Sequence, residues 1–178
     1  MDETFGSKRA GGRVAAAVLI VSGGGVLVVE IIGAKLLSPF FGNSHFVWTN
    51  QILTTLAALA AGAQLGGRMA DTGGAERWMP RVVMLAGWWL LMLIPVFERA
   101  NYFFLRFHVG PGALLAASVL YFAPLTLLGT VPPMAVKSMT VSLQDSGRAA
   151  ARALALATLG GGGWLPGGGH GLDSNTNE

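Results

Sequence analysis

Cysteine is absent from this chain and charge is scarce. Without a thiol there is no disulfide, no thiolate metal site and no cysteine nucleophile, and the redox compartment leaves no mark on the sequence. Only 12% of the 178 residues are charged while 52% are hydrophobic, whereas a soluble domain carries about a quarter of its residues as charges. Such a chain cannot cover a folded surface with polar groups, so the solvent it implies is a lipid bilayer. Histidine is also sparse. His45, His108 and His170 lie far apart, none has a second ligand at metal spacing, and each reads as an interfacial or solvated side chain, so no metal is expected.

Basic residues outnumber acidic ones, twelve to nine, but they are scattered singly with no stripe interleaved with aromatics, which argues against nucleic acid as a partner. No Ser-His-Asp set or pair of carboxylates in a soluble cleft can be assembled, so the chain by itself reads as no enzyme. The glycine runs at 160–163 and 167–169 lack the preceding strand and following helix of a nucleotide loop, and no cofactor is expected.

What the chain does have is four apolar stretches, at about 14–37, 46–67, 82–97 and 111–136. Each approaches the roughly 20 residues a helix needs to cross the hydrocarbon. Helices are required because backbone polar groups there must be satisfied internally. The fold class expected is therefore all-α: a polytopic membrane bundle of about four transmembrane helices. Nine basic residues flank one side of these spans (Lys8, Arg9, Arg13, Arg68, Arg77, Arg81, Lys137, Arg148, Arg152) and three the other (Lys35, Arg99, Arg106). That bias predicts cytoplasmic N- and C-termini and a multi-pass protein of the cell membrane. The first stretch continues well past the small residues at 22–25, which favours a retained span over a cleaved signal.

The domain plan follows: a cytoplasmic tail at 1–13, a transmembrane domain at 14–136, a cytoplasmic segment with a short helix at 137–159, and a Gly-rich disordered tail at 160–178. In the second stretch Ala58, Gly62 and Gly66 recur every four residues and offer a face for close helix packing. In the fourth, Pro124, Gly129, Pro132 and Pro133 predict a bend or an early helix end. Trp48, Trp78, Trp88, Trp89, Tyr102 and Tyr121 fit an interfacial belt or helix packing.

Glu30 is the acidic residue well inside a span, where an ionised group is costly unless protonated, paired or hydrated. It is the leading candidate for binding. Lys35 lies about 140° around the helix from it, a poor intrahelical partner that is better placed to snorkel. Gln51 and Asn50, near the outer end of the second stretch, are candidate hydrogen-bond donors to Glu30. Structural hydrogen bonding and cation or proton handling both remain open for this carboxylate.

The segment VVEIIGAKLLSPFFGNSHFVWTNQILTTLAALAAGAQLGGRMAD resembles the N-terminal membrane region of the spermidine-synthase-like membrane proteins, also described as fused major-facilitator/spermidine synthase proteins. The likeness rests on Glu30, Lys35, Leu36, Leu37, Phe41, Gly42, Gly62, Gly66, Gly67, Arg68 and Asp71 in order. FAPLTLLGTVPPMAVKSM is similar to the family's proline-bounded helix, and GRAAARALALATLG to the start of its fifth helix. The likeness spans roughly 14–160, after which the apolar fifth helix and the soluble aminopropyltransferase domain of the family are missing. Gly67 to Gly74, GRMADTGG, which includes Gly67, Arg68 and Asp71, also resembles the cytoplasmic loop between the second and third helices of major-facilitator transporters, where Asp71 would cap the next helix and pair with Arg68 or Arg77, as simple loop structure or to gate motion.

The resemblance implies a major-facilitator-like membrane domain without aminopropyl transfer of its own. It would act as an anchor or a module presenting polyamine-related ligands, partnered by the bilayer and by itself or a separate soluble synthase-like protein. Two other readings stand beside it: a small organic-cation transporter that works as an oligomer and uses Glu30, and a truncated product with an altered end.

Overall fold

A computed structural model describes residues 2–42, 44–140 and 146–162. The regular elements among them are all helices: α1 (Asp2–Phe41), α2 (His45–Asp71), α3 (Ala75–Leu93), α4 (Phe97–Phe104), α5 (Val109–Gly129), α6 (Val131–Met139) and α7 (Ser146–Gly162). Two stretches, Arg13–Phe41 and Gly110–Met139, are long and apolar enough to cross a membrane, and α3 with α4 makes a third if its 71° bend lies within one span. The described residues are therefore all-helical in their regular structure, with two to three candidate membrane-spanning helices, and this suggests association with a membrane.

The first apolar run meets no proline before Pro39, so α1 continues unbroken to Phe41. It stops at Gly42, whose φ of 79° is a left-handed value that glycine adopts without penalty. The Gly42 N–H closes the end by donating to the Ser38 carbonyl at 2.8 Å. The 29 residues from Arg13 rise about 1.5 Å each, more than the roughly 30 Å of hydrocarbon requires, so this helix tilts or projects beyond it.

α2 is 27 residues long but falls outside the two apolar stretches, because it carries Thr49, Asn50, Gln51, Thr54, Thr55 and Gln64. Three of these, Gln51, Thr54 and Thr55, are buried, and its outward face presents Phe46, Ile52, Leu53, Leu56 and Leu65. Averaging along the helix hides this division. Its buried stripe is Ala58, Gly62 and Gly66, and it lies against α5 and α6: a methyl on Gly62 would run into the Thr126 carbonyl, and one on Gly66 into that of Thr130. Glycine there lets two backbones touch.

The third expected stretch is not one helix. α3 ends at Leu93 and α4 restarts at Phe97 in a new direction. Pro95 is the cause, since it has no N–H for the Leu91 carbonyl, although Ile94 before it keeps helical angles (φ -51°, ψ -53°). Tighter bonds, from Ile94 N–H to Leu91 and from Val96 N–H to Leu93, take over through the turn. α4 then docks on the end of α1 by edge-to-face contacts of Phe40 with Phe97 and Tyr102, ring centroids 6.1 and 5.3 Å apart. In the fourth stretch the prolines produce a milder effect, a single-residue break at Thr130 inside a 30-residue span.

The helices alternate in direction around two core clusters. One joins Leu37 and Phe41 of α1 to Val47 of α2 and to Ala113, Ala117 and Tyr121 of α5. The other joins Ala15 and Leu19 of α1 to Ala70 of α2, Met79 of α3, Met134 of α6 and Ala153 of α7. Much of the core is alanine and glycine, while Val21, Val28, Ile32, Leu53, Met84, Trp88, Leu91, Val119 and many other large apolar side chains face outward. A water-soluble bundle has the reverse arrangement, and helix association in lipid produces this one.

α7 contains the short helix expected from about Ser146 and extends it to Gly162. It lies along α1, where a methyl on Gly23 would strike the Ala157 carbonyl and one on Gly160 the Ile20 carbonyl. Gly160 and Gly161 thus belong to a helix interface, and the remainder of the expected Gly-rich tail, from residue 163, lies outside the described residues.

Candidate functional site

A cavity of about 420 Å³ lies where α1, α2, α5, α6 and α7 converge. Ser22, Gly23, Val26 and Glu30 of α1 form one wall, and Leu128, Gly129 and Pro132 at the α5–α6 break form another. Gly161 and Thr158 of α7 close a side. The hydroxyls are committed elsewhere: Ser22 donates to the Leu19 carbonyl at 3.0 Å and Thr158 to that of Leu154 at 2.9 Å. Glu30 is partly buried, and among the described residues its carboxylate has no hydrogen bond or ion pair. Pro132 and Pro133 lack the N–H groups that would bond the carbonyls of Leu128 and Gly129 in a regular helix. A carboxylate and a proline-broken helix therefore share one largely apolar chamber.

The other binding candidates are distributed differently. Lys35 is exposed on α1 and has no partner among the described residues. Gln51 is fully buried, beside Gly33 of α1, yet neither its amide nitrogen nor its amide oxygen has a partner among the described residues. Asn50 donates to the Gly110 carbonyl at 2.9 Å. The expected donation from Gln51 or Asn50 to Glu30 is thus absent among the described residues: Gln51 meets α1 beside Gly33, three residues further along, and Asn50 is committed to Gly110.

The loop motif is also arranged otherwise than expected. Asp71 is the last residue of α2 and does not cap α3, whose cap position is Gly74 at φ 77°. It pairs with Lys137 Nζ at 3.0 Å instead of Arg68 or Arg77. The last turn of α6 reaches this corner because α6 packs between α2 and α3, a long-range contact that spacing along the sequence does not contain. Both partners are largely exposed, so the pair adds little stability. Arg68 is exposed, a methyl on Gly67 would meet no neighbour, and Ala58, Gly62 and Gly66 serve the contact of α2 with α5 and α6.

A second cavity, about 570 Å³, lies between α1, the α3–α4 turn and α5, and includes Glu98 and Tyr121. Tyr121, Thr54 and Asn101 are buried with at least one polar atom unpartnered among the described residues. Sequence reading assigned Tyr121 to a belt or to packing and did not single out the other two. For Thr54 and Tyr121 the available signal was polarity inside an apolar stretch, whereas Asn101 follows the third stretch among Glu98, Arg99 and Arg106 and carried none.

No family model, curated protein or solved structure matches this chain. The likeness to spermidine-synthase-like membrane proteins accordingly rests on the motifs quoted above.

Proposed function

We propose that this chain is a four-span protein of the plasma membrane whose bundle holds a small organic cation at Glu30. The observation that carries this reading is the unpartnered Glu30 carboxylate on the wall of the chamber between α1, α5, α6 and α7. A carboxylate in such surroundings is costly alone, and a bound ammonium relieves the cost while its methylenes suit the apolar walls. Within this class, the family-like motifs favour a polyamine, and the role is that of a ligand-presenting membrane module.

The four spans are α1, α2, α3 and α5–α6, with α4 lying along the outer surface. Support for α2 comes from its inward-facing polar residues and apolar exterior. Arg13, Arg68, Arg77, Arg81, Lys137, Arg148 and Arg152 gather toward the end where α1 enters and α2 leaves, while Lys35, Arg99 and Arg106 belong to the other end, which favours cytoplasmic termini. α7 then rises beside α1 as far as Leu27.

Saturable binding of radiolabelled spermidine to the purified protein in nanodiscs tests the site. In Glu30→Gln the affinity is expected to fall about tenfold or more, the consequence of losing one charge-assisted hydrogen bond worth ~1.5–3 kcal/mol. Equal binding by the variant and the unaltered chain, or no saturable binding by either, would remove the proposed role.

A further inference from the structure

We infer that the second cavity, between α1, the α3–α4 turn and α5, is a separate binding site for a lipophilic amine that enters from the bilayer. Its walls are the apolar side chains of Val28, Ile32, Leu36, Leu93 and Ile94, and several of these are also exposed on the outside of the bundle, so the chamber adjoins the lipid face. Two polar groups interrupt this lining. Tyr121 is 4% exposed and its hydroxyl has no partner among the described residues. Glu98, exposed at the start of α4, has no ion pair among them either. Tyr121 lies mid-helix in α5 and Glu98 just past the Pro95 turn, so the two polar groups belong to different parts of one greasy chamber.

That arrangement selects a ligand by chemistry. An aliphatic body fits the walls, an ammonium meets Glu98, and a hydrogen-bonding group on the ligand or a water carried with it meets the buried hydroxyl. Gly33 keeps the floor of the chamber open: a methyl there would lie 3.0 Å from Gln51 Nε2 and 3.3 Å from the Tyr121 ring. The fully buried Gln51 amide, also unpartnered, stands behind that glycine. A phospholipid acyl chain could fill the walls but would leave the phenol and the carboxylate unanswered.

The test uses tritiated dodecylamine and the full chain in nanodiscs of neutral phosphatidylcholine, with empty discs subtracted for partitioning and dodecanol as the uncharged competitor. Saturable binding is expected, with dodecanol competing poorly. Glu98→Gln is expected to weaken it about tenfold and Tyr121→Phe, which keeps the ring, about fivefold. Glu98 is exposed and Tyr121→Phe keeps the shape, and monodisperse elution of each variant shows that it has folded. The inference is overturned if binding never saturates, if dodecanol competes as well as unlabelled amine, or if both variants bind as the unaltered chain does. It is equally overturned if binding survives in both and disappears in Glu30→Gln, which would assign the amine to the first chamber.

Discussion

Leucine at Gly62 is expected to prevent the bundle from forming, whereas leucine at Gly87 leaves it intact. At Gly62 even a single methyl would overlap the Thr126 carbonyl and come within 2.9 Å of the Gly129 backbone, and neither can move without displacing α5 as a whole. Gly87 faces open space, with nothing within 4 Å of a methyl placed there. Because lipid tails are as apolar as leucine, helices in a membrane gain little from hydrophobic burial and depend on close van der Waals contact. Forcing α2 and α5 apart forfeits that contact along the whole stripe from Ala58 to Gly66. The cost expected is at least ~3 kcal/mol, at or beyond the upper end for overpacked cores. Thermal unfolding in detergent reads it as loss of the cooperative transition in Gly62→Leu, with Gly87→Leu within a few degrees of the unaltered chain.

A second large effect is expected at Gly160, and it links packing to the proposed site. Gly160 meets the Ile20 carbonyl and Gly23 meets that of Ala157, so α7 lies on α1 through a contact in which neither helix has room for a side chain. Leucine at Gly160 should lift α7 away while leaving α1 to α6 assembled, since among the described residues α7 gives Ala153 and the partly buried Leu156 to the cluster it shares with α1, α2, α3 and α6. The chamber around Glu30 would then lose the wall formed by Ala157, Thr158 and Gly161. Limited proteolysis is expected to cut α7 in this variant and spare the rest, with spermidine binding reduced at least tenfold. A variant whose α7 is released but whose binding is unchanged would separate the ligand site from this helix.

Much of the helical plan was legible because its signals are local. The apolar run that makes α1 and the Pro132–Pro133 pair within the fourth stretch are both covalent facts about neighbouring residues. The small-residue stripe of α2 announced a close contact for the same reason, though not which helix would make it. What escaped depends on three dimensions. The polar residues of α2 lower its average apolarity, yet Gln51, Thr54 and Thr55 point into the bundle, and only the packing reveals this. Lys137 reaches Asp71 across 66 residues, and Pro95 turns the chain by 71° where hydrophobicity alone runs on. Glu30 stood out as a charge in an apolar run, but the chamber beside it required α7, which sequence spacing had left apart from the other helices. Tyr121 and Glu98 are 23 residues apart and become neighbours of one cavity only through the α3–α4 turn.

How the chain threads the bilayer decides which face each helix end meets, and the lack of native cysteine makes that directly measurable. Single cysteines placed at Thr72, Thr140, His45 and Arg106, all in or beside the connections between helices, can be labelled in intact cells with a membrane-impermeant maleimide. The four-span arrangement predicts labelling at His45 and Arg106 only, with Thr72 and Thr140 reacting after the membrane is permeabilised. Labelling of Thr72 together with His45 before permeabilisation, or recovery of the protein in the soluble fraction, would contradict it.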